Sequence, residues 1–195
     1  MSDSFCSQRL LYRLPEPADE AFFFSTQTDP ISLQNSNPSL AKPASKKDAQ
    51  AFQKAVEEAL LGVVICLPAD PNDASSLPVP VGTIHLSPLS QKLAHHRFTE
   101  MGVQIVKPYQ GRGYGSEAIN WALEWAFDTA GVHRVGIKAL GYNQGAIKLY
   151  GKLGFKQEGV SRDMWWHAGS WWDDIQFGML DWEWRELRKN KLKVT

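Results

Sequence analysis

Val103-Gln-Ile-Val-Lys-Pro-Tyr-Gln-Gly-Arg-Gly-Tyr-Gly115, followed by Ser116-Glu-Ala-Ile-Asn-Trp-Ala-Leu-Glu-Trp-Ala-Phe127, decides how the chain is read. A β-rich run ends at Lys107-Pro108, a glycine-dense turn follows, and an amphipathic helix begins. Ile119, Ala122, Leu123 and Ala126 follow the i, i+3, i+4, i+7 rule of a one-sided apolar helix. Glu117 in the first turn suits the positive end of the helix dipole. Glycines at alternate positions allow a sharp turn and leave amides with no side chain over them. Those amides, with the first N–H groups of the helix, make an anion site suited to a phosphate or pyrophosphate.

The spacing Gly111-x-Gly113-x-Gly115 is neither the dinucleotide-fold nor the P-loop pattern, and no Lys-Ser/Thr pair follows it. Gln110-Gly-Arg-Gly-Tyr-Gly115 does fit Q/R-x-x-G-x-G/A, and so resembles the acetyl-CoA signature of the GNAT superfamily of N-acetyltransferases. Asn143-Gln-Gly-Ala-Ile-Lys-Leu-Tyr-Gly-Lys-Leu-Gly-Phe155 resembles a second segment of that family, some thirty residues further on. The resemblance covers roughly residues 80 to 184. Two further pieces are similar to the branch that includes ribosomal-protein N-acetyltransferases: Phe98-Thr-Glu-Met-Gly-Val-Gln-Ile105, with that branch's E-x-G, and the ending Asp174 to Trp184, read as its last strand.

The bulk numbers are ordinary for a soluble globular protein with a real core. A chain of 195 residues suits one domain. Lysine plus arginine and aspartate plus glutamate number 21 each, so no global field favours nucleic acid or an anionic membrane. Cys6 and Cys66 lack metal-like spacing, which points to a reducing, cytoplasmic setting with structural thiols. The start, Met-Ser-Asp-Ser-Phe-Cys, has no basic and apolar leader pattern, and no apolar run approaches the ~20 residues of a membrane span. The five histidines form no metal set, so no metal is expected.

Along the chain, strands are expected at Gln8–Leu14, Leu61–Leu67, Val81–Leu86, Phe98–Val106 and His133–Leu140. A further one starts at Phe155 and a returning one runs from Trp171 to Trp184 after a hairpin turn at His167–Ser170. Helices are expected at Ala18–Ser25, after a capping box at Ser45–Asp48 with Phe52, Val56 and Leu60 as its stripe, from Ser116 to a stop at Gly131, and from a cap at Asn143 to Gly154. Segments of about 25–44 and 68–80 are expected to be irregular and flexible. The resulting fold class is α/β, with a GNAT-type mixed, mostly antiparallel central sheet flanked by helices, in a single acetyltransferase domain over 1–195.

What the resemblance implies can be placed residue by residue. Main-chain groups at Ile105 and Val106 would pair with the pantetheine arm of acetyl-CoA like an added strand. The turn from Gln110 through Gly111, Arg112, Gly113, Tyr114 and Gly115 to Ser116 would hold the diphosphate. Arg112 either touches a phosphate or is simply solvated. Asn143 would bond the pantetheine amide while capping its helix, with Ala146 beside it in the motif. Tyr150 matches the tyrosine near the thioester sulfur, where a phenol can donate to the departing thiolate; from the helix pattern alone it is a core tyrosine. Glu100 is the candidate for taking the amine's proton, or else a substrate-orienting carboxylate. A backbone amide near Val106 would polarise the carbonyl.

The paired tail tryptophans at 165, 166, 171 and 172 are read mainly as cross-strand packing, with one or two lining an acceptor pocket. There Asp173 or Asp174 would attract a cationic amine. The implied activity is direct acetyl transfer in a ternary complex to a primary amine, a peptide N-terminus or a small amine, by a monomer or homodimer. A non-catalytic acyl-CoA-binding module and an ATP-binding regulator are the rivals from other classes.

Overall fold

A computed structural model describes residues 5–40 and 42–192. The expectations resting on Met1–Ser4 and Ala41 lie outside those residues. The chain divides into two compact units, Met1–Pro88 with Gly102–Ala122, and Leu89–Met101 with Leu123–Thr195.

In the first unit, β1 (Leu11–Arg13) pairs antiparallel with β2 (Leu61–Leu67), and β2 pairs antiparallel with β3 (Val79–Leu86). Strand β1 is shorter than the alternation from Gln8 suggests. Ser7 N–H donates to the Leu10 carbonyl and Tyr12 N–H to Phe5, so residues 7–10 reverse direction before the strand begins. Strand β3 starts two residues early, at Val79. Pro80 is tolerated because it faces the irregularity between Ile65 and Cys66, where a ladder N–H is not required. Residues 68–78 carry no regular element.

Helix α1 (Glu20–Thr28) follows a turn at Pro17–Asp19. A second helix, α2 (Pro30–Ser36), occupies part of the stretch expected to be irregular. Proline at a first helical position costs no hydrogen bond and presets φ, which local polarity had masked. Helix α3 (Lys46–Glu57) starts at the expected box: Asp48 N–H donates to Ser45 Oγ, and Ser45 N–H donates back to the Asp48 carboxylate. Leu60 lies past its end. The buried stripe is Ala49, Phe52 and Val56, which packs with Phe23, Val64 and Cys66 as one apolar cluster. Cys66 is fully buried there, whereas Cys6 is exposed.

Helix α4 (Tyr114–Glu124) opens inside the glycine turn, two residues before the expected Ser116. In the first unit Ile119 and Ala122 are fully buried, and the indole of Trp121 stacks on Tyr12 at 3.7 Å. The continuation belongs to the second unit, where Leu123 and Ala126 are buried and Trp125–Thr129 widens into a π turn before Gly131 (φ 64°) ends it.

Strand β4 (Phe98–Ile105) is shared by the two units. Its first three residues pair in parallel with β5 (Arg134–Leu140), Glu100 opposite Gly136 marking the end of that ladder. Val135, Ile137 and Ala139 form the buried face of β5, as the alternation indicates. After α5 (Gln144–Leu153) come β6 (Lys156–His167) and β7 (Ser170–Leu180), joined by Ala168 and Gly169, both at positive φ as a two-residue hairpin requires. The sheet order is β1-β2-β3-β4-β5-β7-β6, seven strands of which only the β4–β5 ladder is described as parallel. This is the mixed, mostly antiparallel α/β class that the order of elements indicates.

The end of the chain also departs from expectation. The returning strand stops at Leu180, and Trp182 and Trp184 stand on a helix, α6 (Asp181–Leu192). Glu183, in the third helical position, reaches back to accept the Leu180 N–H, and it also pairs with Lys156 at 2.6 Å. The alternation Trp-x-Trp imitates a strand; the acidic first turn is the helix signal that competes with it. Trp184 is buried against Phe127.

Deleting the core-facing side chain of α4 with Ile119→Ala should lower unfolding free energy by about 2–5 kcal/mol in a urea titration. Asp19 supplies a pH signature. Burial would raise its carboxyl, but the two-pronged Arg13 guanidinium (2.7 Å on each oxygen) and the Glu16 N–H outweigh that and hold it below the ordinary carboxylate range. Its contribution is therefore complete above about pH 4 and lost as pH falls through the depressed value. Asp19→Asn should cost roughly 2–3 kcal/mol at pH 7, less than a fully buried pair because Arg13 is partly exposed, and should flatten the acid limb of stability against pH.

Candidate active site

The first unit supplies an anion site built from main chain. A short turn at Lys107–Tyr109 ends β4, and Gly111 and Gly113 then take φ of 73° and 84°, a region that a side chain makes costly. Among the described residues, no acceptor meets the N–H groups of Gly111 to Ser116; the first donation out of the turn is from Glu117 N–H to the Gly113 carbonyl. Six donors thus surround the positive end of α4, where an anion gains both hydrogen bonds and the helix dipole.

Two of the expected residues have local work. Gln110 turns its side-chain amide back to the Ile105 carbonyl at 2.7 Å, closing the turn on its own strand. Arg112 lies over the Tyr109 ring at 5.6 Å and is exposed. Val106 N–H donates to the Val81 carbonyl at 3.0 Å. The polarising amide expected near Val106 is therefore not that of Val106 itself, because its proton is committed to the sheet. Tyr114 and Gly115 begin the helix, and a Cβ at Gly115 would stand 3.7 Å from Ile105, an ordinary contact. Ser116 passes its carbonyl to the Asn120 side chain at 2.9 Å.

Arg9 is the participant that local sequence reading misses. Its Nε donates to Glu117 Oε2 at 2.8 Å and its Nη1 to the Arg112 carbonyl at 3.0 Å, while the guanidinium covers Tyr114 at 4.9 Å. Glu117 also accepts from Arg9 N–H and from Ser7 Oγ, each at 2.7 Å. Burial would raise the Glu117 carboxyl, yet these donors hold it below its usual range. More than a hundred positions separate the partners, so no window of sequence links them; the only hint is an acidic residue in the first turn of α4.

The second unit holds the expected acid–base residues. Asn143 caps α5 through Ala146 N–H at 3.1 Å, and Gly154 ends that helix at φ 97°. Tyr150 is 6% exposed, packed edge-on to Phe177 and against Phe155, and burial pushes its phenol up to about 12. It stays protonated throughout the neutral range, so it can donate a hydrogen bond and is not poised to act as a base. Glu100 is exposed on β4 and paired with Lys138 of β5 at 3.1 Å, so an ammonium competes for the carboxylate that would take up the amine's proton.

Cross-strand packing describes the tryptophan hairpin. Trp165 faces Trp172 and Trp166 faces Trp171, the latter pair edge-to-face at 5.2 Å. Asp174 is buried and accepts from Trp165 Nε1 at 3.1 Å, and Asp173 accepts the Asp163 N–H at 3.0 Å. Both carboxylates thus have structural partners. Trp166 and Trp171 remain more than half exposed. Among the described residues no three His, Cys, Asp or Glu side chains gather as a metal site, and no helix is long and apolar enough to cross a membrane.

Comparison with known proteins agrees with these features. A family model described as an acetyltransferase (GNAT) domain matches residues 9–156. The uncharacterized N-acetyltransferase YoaA of Bacillus subtilis is 32% identical over 100 residues, 51% of this chain and 55% of that protein. The [ribosomal protein uS5]-alanine N-acetyltransferase of Escherichia coli is 27% identical over 84 residues, 43% of each. The chain spans about half the length of the curated relatives it matches. A solved spermidine N-acetyltransferase of Vibrio cholerae, in complex with CoA and spermine, superposes with a TM-score of 0.73 at 21% identity over 92% of this chain and 99% of that one. The family model covers most of the chain and brackets both glycine-turn and tyrosine motifs, so the protein belongs to the GNAT acetyltransferase family.

Proposed function

We propose that the protein is an acetyl-CoA-dependent N-acetyltransferase that moves an acetyl group to a primary amine by direct attack in a ternary complex. The observation that carries this is the turn from Gly111 to Ser116, whose N–H groups open a helix and meet no acceptor among the described residues, in a chain of this family. The family model runs through both units, which supports treating them as one acetyltransferase domain.

In the proposed site the diphosphate lies on the turn amides, with Gln110, Arg112 and Tyr114 around it. The family motifs assign the pantetheine to Ile105, Val106, Asn143 and Ala146. The parallel ladder of β4 and β5 stops at Glu100 and Gly136, which supports an extended ligand taking up main-chain groups further along. The amine lone pair attacks the thioester carbon, the C–N bond forms and the C–S bond breaks. A free thiol near ~8.5 is far more acidic than this buried phenol, so Tyr150 donates a hydrogen bond to the developing thiolate and keeps its proton, and CoA leaves as the thiolate and is protonated by solvent. The ammonium proton goes to Glu100, directly or through water, with Lys138 released from its pairing or shared.

The amine is a peptide N-terminus or a small polyamine; the Escherichia coli relative is named for an alanine of a ribosomal protein and the Vibrio cholerae one for spermidine. Exposed Trp166 and Trp171 offer ring faces to a cationic chain. A cytoplasmic setting fits the free thiols Cys6 and Cys66.

CoA release measured with a panel of N-terminal peptides and polyamines should identify one class. Tyr150→Phe should lower kcat by about 10²–10³-fold with acetyl-CoA affinity unchanged; equal turnover would remove Tyr150 from the chemistry, and no turnover in the wild type would leave an acyl-CoA-binding module. Gly113→Ala, strained at φ 84°, should weaken acetyl-CoA binding by roughly tenfold or more in calorimetry while ATP shows no comparable affinity for either protein. Tighter binding of ATP than of acetyl-CoA would instead favour a nucleotide-binding regulator.

A further inference from the structure

We infer that Arg9, held at the reversal before β1, is a positioning residue of the anion turn: it neutralises Glu117 and pins the Arg112 peptide so that the turn can accept a diphosphate. The inference rests on the acetyl-CoA reading of that turn.

Physically, a site that binds a diphosphate at the start of α4 should not carry a bare carboxylate in the same helical turn, because the two charges repel at short range. Glu117 is that carboxylate. Its Oε1 is taken by Ser7 Oγ and Arg9 N–H, and its Oε2 by Arg9 Nε. The same guanidinium extends Nη1 to the Arg112 carbonyl, between the two glycines of positive φ. That bond fixes the peptide plane linking Arg112 to Gly113, and with it the direction of the Gly113 N–H. Nη2 lies 3.2 Å from where a Gly113 Cβ would stand, so a side chain there would crowd the guanidinium by a few tenths of an ångström in addition to straining the φ. Tyr114 beneath the guanidinium limits its swing.

Sequence position reinforces the assignment. Residues 7–10 reverse direction through the Ser7 N–H to Leu10 bond, and Tyr12, two positions into the strand, is buried and stacked on Trp121 of α4. Arg9 is thus anchored on the C-terminal side by the core. A lysine in its place would keep the charge but could not bridge carboxylate and carbonyl with a planar fork.

The test uses the full chain with two acyl donors, acetyl-CoA and acetyl-pantetheine, which lacks the diphosphate, and with inorganic pyrophosphate as a binding probe. Arg9→Ala should raise KM for acetyl-CoA by about 10–100-fold, at least tenfold more than any change in KM for acetyl-pantetheine. Arg9→Lys should fall between, and Arg9→Ala with Glu117→Gln should recover much of the loss by removing the stranded carboxylate. A thermal melt of each variant reports folding separately. Equal losses for both donors, or a double variant no better than Arg9→Ala, would overturn the assignment. If the wild type binds no acetyl-CoA, the proposed function fails on its own. Arg9 is then judged on pyrophosphate by calorimetry, where weaker binding to Arg9→Ala supports the clamp and equal binding sinks it.

Discussion

A helix that offers its first N–H groups to an anion can carry a carboxylate in that turn only if the charge is held elsewhere. Glu117 meets this constraint with three donors from Ser7 and Arg9, and the same arginine reaches the Arg112 carbonyl. The glycine turn, the N-terminal reversal and the Tyr12–Trp121 stack are therefore one assembly. Main-chain donors are costly to leave bare; among the described residues none accepts from the six of this turn, which lies at the surface where water can serve.

The proposed acid–base residues are built on a different principle. Tyr150 owes its protonated state to burial among aromatic rings, so the packing that makes it a core tyrosine also keeps it a donor. The structural and chemical readings of this residue do not compete. Asn143 shows the same economy, with its side chain capping α5 at a motif position assigned to ligand binding. Glu100 differs, since its exposed pairing with Lys138 leaves it adjustable.

The tryptophan-rich end illustrates how aromatic residues are used twice. Trp165 and Trp184 are fixed, one by the buried Asp174 carboxylate and the other against Phe127. Their sequence neighbours Trp166 and Trp182 face solvent. Alternation on β6 and the turn of α6 sort adjacent indoles to opposite environments, so a count of tryptophans says little about which ones stabilise the fold.

From sequence alone the glycine turn, the Asn143 cap, the Gly154 stop, the Ser45–Asp48 box, the hairpin turn and the order of elements were legible. The caps, the stop and the box are local rules in which a few adjacent residues satisfy their own backbone groups, and the turns follow from the glycines that permit their φ. Where local signals conflicted, the outcome depended on distant partners. Trp182 and Trp184 alternate like a strand, yet Asp181 N–H bonds to the His133 carbonyl and Lys156 pairs with Glu183, and a helix results. Gln8 to Leu10 read as strand, yet the reversal there serves Glu117, over a hundred residues away. The amide of Val106 was open to catalysis until Val81 was seen to hold it. Adjacency in the chain determines turns and caps because their hydrogen bonds close within four residues; which charges meet, and which amides remain to greet a ligand, is decided only when remote segments pack.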